Sequence, residues 1–121
     1  MNHLRFRLSS AHLTGDTFVV TLRGDIDTYQ ASEVDRELEA LQADGARHVV
    51  VDLLDVPAFE PGLISVLLMH SRRLLMSGGE LTVVSDKHDV QRAVGTHLFG
   101  PLRVVTTLSA ALHQATAAWA S

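Results

Sequence analysis

The stretch Val49–Gly79, VVVDLLDVPAFEPGLISVLLMHSRRLLMSGG, constrains the fold most, because it reads as a buried strand, a sharp loop and a helix in direct succession. Val49, Val50, Val51, Asp52 and Leu53 form a β-branched run with little alternation, as in a strand covered on both faces in the middle of a sheet. The loop Leu54–Glu60 carries Asp55 and Pro57. Pro61 follows, where a fixed φ and a missing N–H suit the first position of a helix. Glu60 precedes that helix, so its carboxylate can accept from the free N–H groups and meets the positive end of the helix dipole. Gly78-Gly79 predicts the stop, since glycine accepts the left-handed geometry of a C-terminal cap.

At about 100° per residue, Ile64, Leu67, Leu68, Ser71 and Leu75 gather on the side expected to face the sheet, flanked by Leu63 and Leu74. Gly62, Val66, Met69 and Arg73 fall on the opposite side. Two of those four are apolar, which points to a surface with a partner, although single exposed apolar residues are also normal.

The rest of the chain fits around this unit. Residues 3–8 alternate, with Leu4, Phe6 and Leu8 on one face, as in a half-buried strand near a sheet edge. Gly15-Asp16 marks a turn, and Thr17–Arg23 alternates again through Phe18, Val20 and Leu22, so an antiparallel hairpin is expected. Asp27 or Thr28 can cap a helix that buries Ala31, Val34, Leu38 and Leu41 and ends at Asp44-Gly45. After the central unit come a strand over Glu80–Ser85, a short helix to about Val94, a loop Thr96–Pro101 exposing Leu98 and Phe99, a strand Arg103–Thr106 and a helix Ser109–Trp119. The order ββαβαβαβα predicts an α/β fold with a mostly parallel sheet and right-handed crossovers. A length of 121 residues suits a single domain spanning 1–121 with one core.

Composition excludes several classes. A net charge of −4 gives no electrostatic footprint for nucleic acid. The absence of cysteine removes disulfides and thiolate chemistry and fits a reducing compartment. No signal peptide or membrane-length apolar run is present, so a cytoplasmic protein with no membrane partner is expected. Seven histidines show neither the H-x₃-H nor the HExxH spacing of a metal site. No phosphate-binding glycine loop and no nucleophile elbow occur, so no cofactor and no enzyme activity are expected. Asp25, Asp27, Asp52 and Asp55 nevertheless lie near the carboxyl ends of strands, where open α/β sheets place their sites. They raise the alternative of a phosphoacceptor or Mg²⁺-dependent signalling domain. Against it stand the opening hairpin and the common roles of such aspartates in caps and turns.

The segments Gly24-Asp25-Ile26-Asp27 and Asp55-Val56-Pro57-Ala58-Phe59-Glu60-Pro61-Gly62-Leu63-Ile64-Ser65-Val66-Leu67-Leu68 resemble the two signatures of the STAS domain, the family of bacterial anti-sigma factor antagonists. The likeness runs from about Leu4 to Ala117, with Leu98-Phe99-Gly100-Pro101-Leu102 echoing a late family loop. It implies a STAS-like fold and a non-enzymatic domain that binds an anti-sigma factor or a kinase-like regulatory protein. The partner surface it implies centres on Glu60, Pro61, Gly62, Val66, Met69 and Arg73, with Asp25 and Asp27 nearby. The serine phosphorylated in many family members falls on Pro61, which has no hydroxyl. A phosphate there would add nearly two negative charges to the partner surface, and Pro61 cannot receive one. Thr28 and Ser65 are poor substitutes, Ser65 because it sits one turn inside the helix, where modification would need local opening. A homodimer, or packing within a multi-STAS assembly, is a further expectation from the apolar stripe.

Overall fold

A computed structural model describes residues 5–57, 60–87 and 102–113. Five strands form one sheet in the order β1-β2-β3-β4-β5: β1 (Arg7–Thr14), β2 (Thr17–Arg23), β3 (His48–Asp55), β4 (Glu80–Val84) and β5 (Arg103–Val105). β1 pairs antiparallel with β2, and every later pairing is parallel. Helices α1 (Thr28–Ala43) and α2 (Pro61–Met76) cross between parallel strands, and residues 108–113 form a helix, α3. The expected hairpin, parallel sheet and order of the described elements are all present. The helix expected to run to about Val94, beyond Lys87, the loop carrying Leu98 and Phe99, and the end of the last helix at Trp119 lie outside the described residues.

The sheet is covered on both faces. Val20, Leu22, Val49, Val51, Leu53, Leu81 and Val83 pack with Val34, Leu38 and Leu41 of α1 and with Leu63, Ile64, Leu67, Leu68 and Leu74 of α2. On the other face Val19, Val50 and Val84 meet Ala111, Leu108 and Leu112 of α3. This double coverage is why β3 is continuously apolar: Val49, Val50 and Val51 are at most 1% exposed. Each large aliphatic side chain buried this way is worth roughly 1.5–3 kcal/mol, so the α2 face is a main source of stability.

The stop of α2 is as the sequence predicts. Gly78 has φ 86°, its N–H donates to the Leu75 carbonyl (3.1 Å), and the Gly79 N–H donates to the Leu74 carbonyl (2.7 Å). Gly79 is also where the chain passes against Arg47, since a Cβ there would lie 1.9 Å from the Arg47 carbonyl oxygen.

Two expectations are corrected. The first strand runs over Arg7–Thr14 instead of residues 3–8. Its position is set by the turn, because β2 pairs back from Thr14–Thr17 to Arg7–Arg23, and residues 9–14 are exposed and so carry no alternating pattern. Leu75, expected against the sheet, is 49% exposed. α1 lies beside α2 and draws its buried arc round to Leu63, Leu67, His70 and Leu74, leaving Leu75 outside.

Candidate functional site

Both helices on the α1/α2 face begin at the carboxyl end of the parallel strands, and each start is built from a carboxylate. Asp27 is the N-cap of α1: its Oδ1 accepts from the N–H groups of Tyr29 (2.9 Å) and Gln30 (3.1 Å), while the Gln30 Oε1 accepts from the Asp27 N–H (3.0 Å). This reciprocal capping box satisfies donors that the first turn would otherwise leave unpaired. Glu60 caps α2, its Oε2 accepting from the Leu63 N–H at 3.0 Å, with Pro61 exposed at the first helical position. Gly62 makes room for that carboxylate, because a Cβ on it would lie 2.6 Å from the Glu60 Oε2.

Three of the four aspartates of the acidic alternative have partners of their own. Asp27 caps α1, Asp52 accepts from the Leu54 N–H (3.0 Å), and Asp55 pairs with the Arg23 Nε (3.4 Å) on the surface. Asp25 is half-buried in the loop between β2 and α1. The Gly24 N–H donates to the Asp55 carbonyl (3.0 Å), tying that loop to the end of β3. Lys87 donates to the Leu54 carbonyl (3.1 Å) and lies 3.6 Å from Asp86. Among the described residues no three histidine, aspartate or glutamate side chains converge as a group able to hold a metal ion, and no helix is long and apolar enough to cross a membrane.

Along α2 the residues singled out from the sequence divide. Met69 is 36% exposed, whereas Val66 is half-buried and packs against the main core. Arg73 reaches across to α1, its Nη1 3.3 Å from the Glu39 Oε1. The stripe 62/66/69/73 is therefore the margin of α2 next to α1. The ridge facing solvent is Ser65, Met69, Arg72 and Met76, with Met76 88% exposed. Ser65 corrects a further expectation. It is exposed without any opening of the helix, and its hydroxyl donates to the Pro61 carbonyl at 3.4 Å.

One feature escaped the sequence reading. His70 is fully buried between the helices, with Nε2 2.6 Å from the Asp35 Oδ1 and Nδ1 2.7 Å from the Gln42 Nε2. The Gln42 Nε2 also donates to the Leu38 carbonyl (3.2 Å), which fixes it as the amide nitrogen. It therefore donates to Nδ1, and the imidazole proton sits on Nε2 and points at Asp35. The available signal was spacing, because His70 continues the apolar column Leu63, Leu67, Leu74 at helical intervals.

Comparison with known proteins agrees with this architecture. The family model described as "Mlab, STAS domain" matches residues 9–96. No curated protein matches the sequence. Among solved structures, an anti-sigma factor antagonist from Mycobacterium paratuberculosis superposes with a TM-score of 0.80 at 21% identity, over 93% of this chain and 95% of that one. RsbS from Moorella thermoacetica, in a variant form, gives 0.74 at 17% identity, over 97% and 99%. The Bacillus cell fate determinant SpoIIAA in its phosphorylated form gives 0.73 at 16% identity, over 91% and 98%.

Proposed function

The chain belongs to the STAS-domain family, and on that footing we propose that it is a non-enzymatic regulatory protein of the cytoplasm. It binds an anti-sigma factor or a kinase-like regulatory protein, in keeping with the name anti-sigma factor antagonist borne by one of its structural neighbours. The observation that carries this reading is the entry to α2. A capping carboxylate, Glu60, and an exposed Pro61 lead into a helix that presents the apolar Met69 to solvent, while Asp27 starts α1 at the same end of the sheet. Glu60, Pro61, Gly62, Val66, Met69 and Arg73 form the contact margin in this reading, with Asp25 and Asp27 beside it. Met69 and Arg73 reach the partner directly, and Val66 supports them from the core. Pro61 has no hydroxyl, so a phosphate cannot switch the surface off at that position. Control then rests on partner abundance or on another site.

The test compares the wild type with Met69→Glu plus Arg73→Glu, both exposed positions, by calorimetric titration against each anti-sigma or kinase-like protein of the source genome. Circular dichroism of both forms confirms the fold. Binding of one such protein by the wild type, weakened at least tenfold in the double variant, supports the reading. Equal binding by both forms, or no binding by either, refutes it.

A further inference from the structure

One face of the β1–β2 hairpin gathers positive charge. The antiparallel register sets Arg7 directly opposite Arg23 and, on the next rung of the same face, Ser9 opposite Thr21. Leu8 and Leu22 alternate with them and pack into the α1/α2 core, so the arginines and hydroxyls belong to the other face. Arg5 lies two residues before Arg7, and these five residues line one open depression of about 690 Å³. Like charges directly opposite one another weaken a strand pair. Arg23 is offset by Asp55 at 3.4 Å, and Asp52, which pairs with Thr21 across the β2–β3 ladder, accepts from the Leu54 N–H at 3.0 Å. Among the described residues, Arg5 and Arg7 enter no ion pair and the Ser9 and Thr21 hydroxyls enter no hydrogen bond.

We propose that this depression binds the phosphate monoester of a small polar molecule, held by Arg5 and Arg7 with the Ser9 and Thr21 hydroxyls. Two guanidiniums without a counter-ion call for a dianion, and a phosphate monoester carries about −1.5 to −2 charges at neutral pH. A carboxylate or a phosphate diester brings one. The planar fork of arginine also meets phosphate oxygens with two parallel hydrogen bonds, which leaves the hydroxyls to serve the remaining oxygen. The depression falls inside the roughly 300–1,000 Å³ range of small-molecule sites, more than a phosphate alone needs, so an organic part can lie beside it. A compact ligand suits the rest of the chain as well. The net charge of −4 repels a long polyanion or an anionic membrane, whereas a small anion feels mainly the charges within a Debye length of ~8 Å. Side chains of a hairpin carry this site, without a glycine loop. It lies on the sheet face away from α1 and α2 and does not depend on the α2 surface.

Calorimetric titration with glycerol 3-phosphate as the probe should show saturable binding at low ionic strength, and the same probe should raise the melting temperature. Dimethyl phosphate, which keeps the tetrahedral group but carries one charge, should bind several-fold more weakly. Arg5→Gln with Arg7→Gln, both exposed positions, should weaken binding of glycerol 3-phosphate at least about tenfold, the loss expected when two charge-assisted contacts go. Without ligand that variant should melt no lower than the wild type, because Arg7 no longer faces Arg23. Arg36→Gln with Arg72→Gln removes the same charge from exposed positions on α1 and α2 and should bind like the wild type. No saturable binding up to about 10 mM, equal binding of the two esters, or equal losses in the two double variants would each overturn the proposal. So would co-sedimentation with vesicles of phosphatidic acid in phosphatidylcholine without binding of the soluble ester, which would make the ligand a lipid headgroup.

Discussion

Removing the Asp35 carboxylate should destabilise this protein more than removing the histidine it binds. In the neutral tautomer set by Gln42, the His70 Nε2–H is a donor in a site with no solvent exposure, and Asp35 accepts from it at 2.6 Å. Asp35→Ala leaves that N–H buried without an acceptor, a penalty of about 1–3 kcal/mol. His70→Leu takes away donor and acceptor together and fills a similar volume in a column already lined by Leu63, Leu67 and Leu74. The Asp35 side chain, 33% exposed, then turns to water, as does the half-buried Gln42. Replacing a satisfied polar group by an apolar one of like shape is nearly neutral, so a loss of ~1 kcal/mol or less is expected. The double variant should resemble His70→Leu alone, so the coupling energy between the two sites should equal in size the cost of Asp35→Ala, about 1–3 kcal/mol. Urea unfolding resolves this, since 2 kcal/mol moves the midpoint by about 1 M for a slope near 2 kcal/mol/M. If His70→Leu costs more than Asp35→Ala, or if the two losses simply add, the assignment of the proton to Nε2 and of Asp35 as its acceptor is wrong.

The further predictions concern three glycines whose roles differ. Gly79→Ala should lower stability by about 3 kcal/mol or more, because its Cβ meets the Arg47 carbonyl at 1.9 Å and the Glu80–Arg47 backbone hydrogen bond must give way. Gly78→Ala, strained by its positive φ but 3.7 Å from its nearest neighbour, should cost only ~1 kcal/mol by the same thermal or urea melt. Gly62→Ala should change stability by less than about 1 kcal/mol, since better helix propensity offsets the displaced Glu60 cap. Glu60→Ala should therefore cost less in the Gly62→Ala background than alone, and equal costs would show that the two residues do not compete for space.

The likeness to the STAS family and the α/β order could be read from the sequence because their signals are local. The β-branched run Val49–Val51, the carboxylate and proline at Glu60-Pro61, the cap at Asp27 and the Gly78-Gly79 stop each act over a few residues, and each is found as expected. Where a residue's surroundings come from another element, the sequence was a poorer guide. β1 carries almost no alternation because it lies at an open edge, and its extent is dictated by the ladder with β2. Helical periodicity arranged the α2 residues correctly around the axis but could not orient that axis. Docking of α1 turned the helix so that Leu75 came out, Ser65 was left in solvent and Val66 settled against the core. The same docking gave His70 its acid and its amide, from positions 35 and 28 residues away in the chain. Chain-local chemistry thus determined which segments are strands and helices and where α2 starts and stops. Tertiary packing decided which of their faces remain open to a partner, because exposure depends on the neighbour that covers a surface and not on the residues that make it.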